Sequence, residues 1–424
     1  MVLDLRSCSN GGVIDLTRYI RPGDRVLIGQ ATAEPRSLVE ALIAQRHKLG
    51  GVQVFLGASF TGLLQPEHAD VISMVGLGGV GQSAALAKAG VLEIMPIHLG
   101  QLPSLISSGE LTIDVAMVQL SSPDERRNHS FGLMADYINE AVAAARVVLG
   151  EINSNVPFTL GDTSVPTDRL AATVHDDRSL IEVLSRPPSA DDIAIAAYIA
   201  PLIPDGATLQ MGIGGTPDAV AARLTGASDL GVHSGIMTDA VVRLHELGVL
   251  TNARKEVDRG VSVTGALFGT SGSLYAWANE NPTLQMRSLA YTHDSRVLSS
   301  FDSFWALNSA IEVDLSGQIN GEIAGGNHVG TIGGQGAFAR AAIQSRHGRS
   351  IIALPSTAAG GTLSRIVPRI ASGIVTTSRA DADLVVTEYG IADLRSATIS
   401  ERARRLIAVA HPMHRESLAH AAGI

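Results

Sequence analysis

The chain has 424 residues, 45% of them hydrophobic, and a formal net charge of −9 at pH 7. This length exceeds one ordinary core and predicts two domains of roughly 200 residues each, while the acidic surplus argues against a nucleic-acid partner, which requires a basic face. The single cysteine, Cys8, excludes an internal disulfide and a cysteine-based metal cluster.

The start of the chain lacks the features of a targeting segment. Residues 1–12 contain no basic region followed by an apolar one, and no run of about 18 apolar residues avoids charges and turn formers. We therefore expect a soluble, cytoplasmic protein without a membrane partner. The sequence also lacks a His-Glu-x-x-His motif, paired cysteines and an aspartate-rich calcium loop, so it predicts no metal site.

Short β-rich runs alternate with alanine-rich helical stretches along the chain. In the first half the runs cover residues 25–29, 52–57 and 113–119, with a helix near residues 83–89. The second half repeats the arrangement with runs at residues 207–211, 261–264, 350–354 and 382–386. Because such alternation forms parallel sheets covered by helices, the sequence predicts an α/β fold of two tandem units of one type.

A proline pair at residues 187–188 marks the predicted boundary between the units, since prolines resist both helix and central strand. Either Ser189 or Asp191 could cap a following helix over residues 193–200. The predicted domains are therefore residues 1–188 and 189–424.

A glycine-rich turn follows the predicted strand at residues 207–211. It consists of Gly212, Ile213, Gly214 and Gly215 and leads into an apolar helix. Such a junction aims backbone N–H groups outward, where a phosphate or a developing oxyanion can accept them. The same pattern occurs where a helix merely packs tightly on its strand, and both interpretations stay open. The third glycine and following acid of a dinucleotide site are missing, which argues against a nicotinamide cofactor.

A second glycine-rich cluster covers residues 325–340 and contains Gly333-Gly334-Gln335. It lies between a strand-like segment at residues 310–315 and a helical run at residues 338–344, which predicts a loop at the rim of a cleft. A flexible surface loop is the alternative.

Several sequence blocks together point to one family. They are residues 123–125, 150–157, 231–239, 354–368, 375–379 and 386–392, with Gly333-Gly334-Gln335 and Phe338. In these blocks the chain resembles the acetyl-CoA hydrolase/transferase family, which includes 4-hydroxybutyrate and butyrate CoA-transferases. The likeness runs over nearly the whole chain and implies two open parallel-sheet domains packed around a central cleft that holds the active site.

The resemblance also implies substrates and contacts. The substrates would be an acyl-CoA thioester and a short carboxylic acid, with no permanently bound cofactor, in a homodimer or larger homo-oligomer. The amide matching Ile213 would donate to the thioester oxyanion, and Gly333, Gly334 and Gln335 would contact the pantetheine arm or the acyl group. The chain departs from the family signature at Gly336 and Ala337, so side-chain contacts there are not expected.

Gly235 stands where the resembled family carries a nucleophilic glutamate. That glutamate attacks the thioester and forms a glutamyl-CoA intermediate, which glycine cannot do. The departure resembles the branch that includes itaconate CoA-transferases, and Glu67, expected at the carboxyl edge of a strand, is the predicted replacement nucleophile. Pro66-Glu67 is also an ordinary helix start, in which the acid complements the helix dipole.

Other candidates for contact with substrate are His233, Gly235 and His328. Either histidine could orient a substrate carboxylate or shuttle a proton, although a lone histidine is more often structural. Among further acids, Glu312 is interpreted as structural, and Glu322 and Glu388 are outside candidates. Asp239 is expected at a helix entry or as a hydrogen-bonding acid. Two alternatives to transfer remain. One is a hydrolase in which water attacks a thioester polarised by the amides of Ile213 and Gly334, and the other is a CoA-binding protein without catalysis.

Overall fold

The computed structural model describes residues 14–424, so Cys8 and the predictions for residues 1–12 lie outside the described residues. The chain forms two compact units. The first continues to Val183 and adds Gly265–Ala290 and Asn327–Val329, and the second consists of Leu184–Thr264, Tyr291–Gly326 and Gly330–Ile424. The domain division after residue 188 stays a prediction.

Strands and helices alternate through most of the described chain. Up to Val183 they are the strands β1 (Arg25–Ile28), β2 (Val52–Leu56), β3 (Ile72–Gly76), β4 (Leu92–Ile94), β5 (Val115–Leu120), β6 (Asn128–Ser130), β7 (Val147–Ile152), β8 (Ser164–Pro166) and β9 (Ala172–His175), and the helices α1 (Arg36–Gln45), α2 (Ser83–Lys88), α3 (Leu102–Ser108) and α4 (Ile138–Ala144).

From Leu184 onward the elements include several short strands. The strands are β10 (Thr208–Met211), β11 (Gly231–Met237), β12 (Ser262–Leu267), β13 (Leu284–Met286), β14 (Phe304–Asn308), β15 (Glu312–Asp314), β16 (Ile319–Asn320), β17 (Ile323–Ala324), β18 (Asn327–His328), β19 (Arg349–Ala353), β20 (Thr357–Ala358), β21 (Leu363–Ser364), β22 (Ile366–Val367), β23 (Leu384–Thr387) and β24 (Gly390–Asp393). The helices are α5 (Ala190–Ile199), α6 (Gly215–Arg223), α7 (Asp239–Glu246), α8 (Ala276–Ala278), α9 (Leu289–Thr292), α10 (Ser295–Leu298), α11 (Gln335–Gln344), α12 (Ile399–Val409) and α13 (Pro412–Ala422).

The first unit is built on a parallel sheet with the strand order β4-β3-β2-β1-β5-β7-β9. Every residue of β5 and β7 is buried, as expected for strands covered on both faces. Alternate side chains enter separate cores, with Val26 and Val54 on one face and Leu27 and Phe55 on the other. The predicted runs at the start of the chain are confirmed as β1, β2 and β5.

Six neighbouring strands of the second unit's sheet follow the order β11-β10-β14-β19-β23-β24. Its neighbouring strands are parallel except for β23 and β24, which are antiparallel. The predicted runs at residues 207–211, 350–354 and 382–386 correspond to β10, β19 and β23. The prediction of an α/β fold with parallel sheets is thereby confirmed.

Two helices begin earlier than the sequence predicts. Helix α5 starts at Ala190 because Ser189 is its N-cap, and the Ser189 side chain accepts a hydrogen bond from the Asp192 amide. Helix α11 starts at Gln335, with Gly334 as N-cap, so the end of the second glycine loop is already helical. This second difference places Gly334 and Gln335 at a helix N-terminus.

Within residues 14–424, no three or more His, Cys, Asp or Glu side chains are grouped so that they could hold a metal ion. No helix in that part of the chain is long and apolar enough to cross a membrane.

Candidate active site

The first glycine turn and Gly235 lie side by side at the carboxyl edge of the second unit's sheet. Strands β10 and β11 are parallel, with Thr208 opposite Gly231 and Leu209 opposite Val232. The same register continued along the strands brings Gly212 beside Gly235, and the Ser234 hydroxyl, one residue earlier, donates to the Met211 carbonyl at 3.2 Å. Open parallel sheets bind ligands at this edge.

The turn after β10 presents its backbone to solvent. Gly214 is the N-cap of α6 and has a φ of 124°, a conformation that side-chain-bearing residues rarely adopt. Among the described residues, the structure gives the amides of Ile213 and Gly214 no acceptor, and Ile213 is 43% exposed. These amides can therefore donate to a bound oxygen.

Asp192 fixes the start of α6 from the neighbouring helix α5. Its carboxylate accepts from the Thr216 hydroxyl at 2.5 Å and pairs with Arg186 at 2.8 Å. Burial opposes ionisation of Asp192, but hydrogen bonds from Thr216, Ser189 and Arg186 outweigh it and lower its pKa to about 2. This ionised anchor holds the glycine turn in place.

The imidazole of His293 lies between Gly235 and Gly334. A Cβ atom at position 235 would stand 3.2 Å from Cε1 of His293, and one at position 334 would stand only 2.1 Å from its Nε2. The ring also packs on Phe338, with centroids 4.5 Å apart. The structure thus brings together two predicted site residues around a histidine that the sequence analysis missed.

His293 is held as a neutral ring. It is 8% exposed, and burial lowers its pKa to about 4. Its Nδ1 lies 2.9 Å from the Thr292 hydroxyl, whereas Nε2, on the glycine side, has no hydrogen-bond partner among the described residues. No sequence motif surrounds His293, so only the three-dimensional contact reveals it.

His233 contacts the residue that precedes His293. Its Nε2 donates to the Thr292 carbonyl at 3.1 Å, and its ring lies 5.9 Å from Tyr291 and 5.1 Å from Phe301 between centroids. Burial and the Lys255 charge lower its pKa to about 3. Because His233 has 0% exposure, the structure speaks against the predicted contact with substrate and favours a role in positioning the segment that carries His293.

The loop before α11 supplies further polar groups to the second unit. Gly333 has a φ of 61°, which favours glycine, and Gly334 ends the loop as the N-cap. The Nε2 atom of Gln335 is buried without a hydrogen-bond partner in the described structure. A buried unpaired amide is costly, and a ligand oxygen would satisfy it.

His328 belongs to the first unit, apart from the other candidates of its loop. Its carbonyl oxygen lies where a Cβ at Gly79 would stand, 2.0 Å away, so the two backbones are in close contact. Its Nδ1 is buried without a partner among the described residues. The predicted contact of His328 with substrate stays a prediction.

Glu67 is exposed on the 3₁₀ turn Pro66–Asp70, which leads into β3. Asp70 of that turn pairs with Arg46 at 3.0 Å, and Arg46 immediately follows α1 and precedes β2. The turn therefore lies toward the amino ends of β2 and β3, and the expected position at a carboxyl edge is wrong. The sequence misled here because the segment between two parallel strands must cross from one edge to the other.

The other acids have local partners. Glu312 accepts from Asn320 Nδ2 at 2.9 Å, Glu322 from the Thr376 hydroxyl at 2.7 Å, and Glu388 from the Ser356 amide at 2.8 Å. Asp239 is the first residue of α7, which confirms the expected helix entry. These contacts favour structural roles.

Comparison with known proteins shows two family domains in the chain. Residues 13–185 match the acetyl-CoA hydrolase/transferase N-terminal domain, and residues 270–422 match the C-terminal domain of the same name. The chain belongs to the acetyl-CoA hydrolase/transferase family. This membership confirms the resemblance inferred from the sequence.

Relatives of this family member are similar over nearly their full length. It is 38% identical over 402 residues to the 4-hydroxybutyrate coenzyme A transferase of Clostridium kluyveri, covering 93% of this chain and 92% of the relative. It is 33% identical over 419 residues to the butyryl-CoA:acetate CoA-transferase of Anaerostipes caccae, covering 95% and 93%. The crystal structure of RipA from Yersinia pestis superposes with a TM-score of 0.91 at 34% identity, covering 96% and 95%.

Proposed function

We propose that the protein is a CoA-transferase that moves CoA from an acyl-CoA to a short carboxylic acid of the 4-hydroxybutyrate, butyrate, itaconate or succinate type. Family membership and relatives that carry CoA-transferase names over nearly the whole chain support this function. The substrate is a CoA thioester, and the proposal includes no permanently bound cofactor. We further propose a cytoplasmic homodimer or larger homo-oligomer.

One observation in the site carries the proposal. The amides of Ile213 and Gly214 lack acceptors in the described structure and lie at the sheet edge beside Gly235. A tetrahedral intermediate formed on a thioester places negative charge on oxygen, and donors fixed in advance stabilise that charge. Gly212 and Gly215 frame these donors, and Gly333, Gly334 and Gln335 are proposed to contact the pantetheine arm or the acyl group.

The nucleophile of the transfer is a separate proposal. Gly235 has no side chain to attack with, and Glu67 is the carboxylate that the sequence puts forward. The Glu67 side chain is exposed and thus open to reaction. Its position toward the amino end of β3 does not support a role as the nucleophile. A direct chemical test is therefore needed.

The test is to trap the enzyme-bound thioester. The protein is incubated with butyryl-CoA or succinyl-CoA, reduced with borohydride, digested and analysed by peptide mass spectrometry. A glutamate reduced to its alcohol at position 67, absent in Glu67→Gln and present in the control Glu93→Gln, supports Glu67. A label at another acid refutes Glu67 as the nucleophile but still supports a CoA-transferase. If CoA is not exchanged between any pair of acids, the proposed function is refuted.

Hydrolysis of acyl-CoA is a second candidate function. The absence of a carboxylate at Gly235 favours it, since water can replace the missing attacking group once the carbonyl is polarised. Release of free CoA from an acyl-CoA without any acceptor acid would identify this activity. Binding of acyl-CoA without either reaction would instead identify a CoA-binding protein.

A further inference from the structure

We infer that His293 is the catalytic base of a water reaction at this site, in which its Nε2 accepts a proton from a water that attacks the thioester carbonyl. The inference rests on the proposed function, because it requires an acyl-CoA bound beside Gly235. It adds a residue, a role and a reaction to the same site.

The first argument is steric. The ring of His293 lies against Gly235, where relatives in the resembled pattern carry a glutamate side chain, and against the start of α11 at Gly334. Both neighbours lack a side chain, so the imidazole edge faces backbone and whatever binds there. A Cβ at position 235 would lie 3.2 Å from Cε1 and 3.6 Å from Nε2 of His293, so a group bound against Gly235 would contact this ring.

The second argument concerns the nitrogen atoms. Nδ1 lies 2.9 Å from the Thr292 hydroxyl, which can accept from an Nδ1–H group. In that tautomer Nε2 carries a lone pair directed at the glycine side. The Thr292 carbonyl is itself held by His233 Nε2 at 3.1 Å, so the segment that carries the base is fixed in place.

The third argument concerns the protonation state. Burial lowers the pKa of His293 to about 4, and the N-terminus of α11 beside it disfavours a positive charge. The imidazole is thus neutral at pH 7 and able to accept a proton. A side chain that served only to fill the gap against Phe338 would gain nothing from two polar nitrogens, whose burial has a cost.

The reaction balances without a further reactant. A water proton moves to Nε2 while the water oxygen bonds to the carbonyl carbon, and the oxyanion accepts from the amides of Ile213 and Gly214. The carbon–sulfur bond then breaks, and the imidazolium returns its proton to the thiolate. The products are a carboxylic acid and free CoA.

The test measures two reactions in the full-length protein and its variants. Free CoA release from acetyl-, butyryl- and succinyl-CoA is followed with a thiol reagent, and CoA transfer to acetate or succinate is followed by chromatography. His293→Gln is compared with the control His420→Gln, an exposed histidine on α13. We expect His293→Gln to lose about 100-fold or more of CoA release, as is typical for removal of a general base, with melting within about 2 °C of the parent and with the control unaffected.

A second variant tests the role of His293 if His293→Gln loses less activity than expected or is unstable. His293→Gly leaves room for added imidazole, and restoration of CoA release with increasing imidazole supports a chemical role, while no restoration overturns it. CoA release by His293→Gln within about threefold of the parent also overturns the inference. A parent protein that transfers CoA but releases none to water refutes the role of His293 alone, whereas a parent that does neither refutes the proposed function.

Discussion

Gly334 is so close to His293 that a Cβ atom at position 334 would stand 2.1 Å from Nε2 of the ring. The backbone of Gly334 has an ordinary φ of −98°, so glycine is required there by the neighbouring ring and not by the conformation. At Gly235 the same ring leaves 3.2 Å, which a small shift can accommodate. The two glycines thus differ in how strictly the histidine constrains them.

Gly334→Ala should lower the free energy of unfolding by about 1 to 3 kcal/mol, the usual cost of overpacking. Combination with His293→Gly should recover part of that loss, with a coupling of about 1 kcal/mol or more between the two changes. Urea unfolding of the four proteins in this cycle measures it. Gly235→Ala is the matched control and should cost less than Gly334→Ala, while additive effects at 334 and 293 would contradict the contact.

Acid should affect CoA release only at low pH. Since burial lowers the pKa of His293 to about 4, the base stays neutral on descent from pH 7 to pH 5 and becomes protonated near pH 4. The kcat/KM for CoA release should therefore be flat above pH 5 and fall about tenfold per pH unit below 4. His233, whose pKa is lowered to about 3, is the titratable neighbour on β11. A decline of kcat/KM centred near pH 6.5 would instead indicate a histidine with an unshifted pKa.

The same burial makes stability fall in acid. The folded protein holds His293 neutral between about pH 4 and its unfolded pKa of about 6.5, so the unfolded state binds more protons there and stability decreases as pH falls. From pH 7 to pH 5 the group should cost about 2 kcal/mol. Because His233, with its pKa lowered to about 3, adds a similar loss to both proteins, urea unfolding should show a loss that is about 2 kcal/mol smaller in His293→Gln than in the parent. Equal losses in both would refute the low pKa of His293.

Gly214→Ala should disturb the oxyanion donors through the backbone. The site of its Cβ is open, but the φ of 124° is strained for any side chain, so we expect a loss of about 1 to 3 kcal/mol in unfolding free energy. Turnover should also fall, because the amides of Ile213 and Gly214 would shift. Gly212→Ala, whose nearest atom is 4.0 Å away, is the stability control, and similar losses in both variants would contradict the explanation.

Asp192→Asn should weaken the connection between α5 and α6. The variant keeps the shape but loses the charge that pairs with Arg186 and accepts from Thr216, at a cost of about 1 to 3 kcal/mol at pH 7. The lowered pKa means that this contribution is present above about pH 4 and is lost as pH falls through about 2. Asp191→Asn is the control in the same turn and should leave the urea midpoint nearly unchanged. A shift in Asp191→Asn larger than that in Asp192→Asn would argue against Asp192 as the residue that connects α5 and α6.

The sequence predicted features that depend on neighbours in the chain. Buried parallel strands such as β5 are predictable because their residues form apolar runs. The turn at Gly212 is predictable because a strand, glycines and a helix follow one another in the sequence. His293 could not be found in this way, since its contacts with Gly235 and Gly334 join distant segments. Glu67 was placed at the wrong edge because the point at which a connection crosses between strands has no sequence signal.

The contact between His293 and Gly235 has a consequence for engineering. Reinstating a glutamate at position 235 would require its stem to pass an aromatic ring that already stands 3.2 Å from where the first carbon would go. A redesign that seeks an acyl-enzyme route must therefore either let the His293 ring move by a few tenths of an ångström or replace it with a smaller residue. The freedom of the ring at residue 293, and not position 235 alone, therefore decides whether this scaffold accepts a carboxylate side chain there.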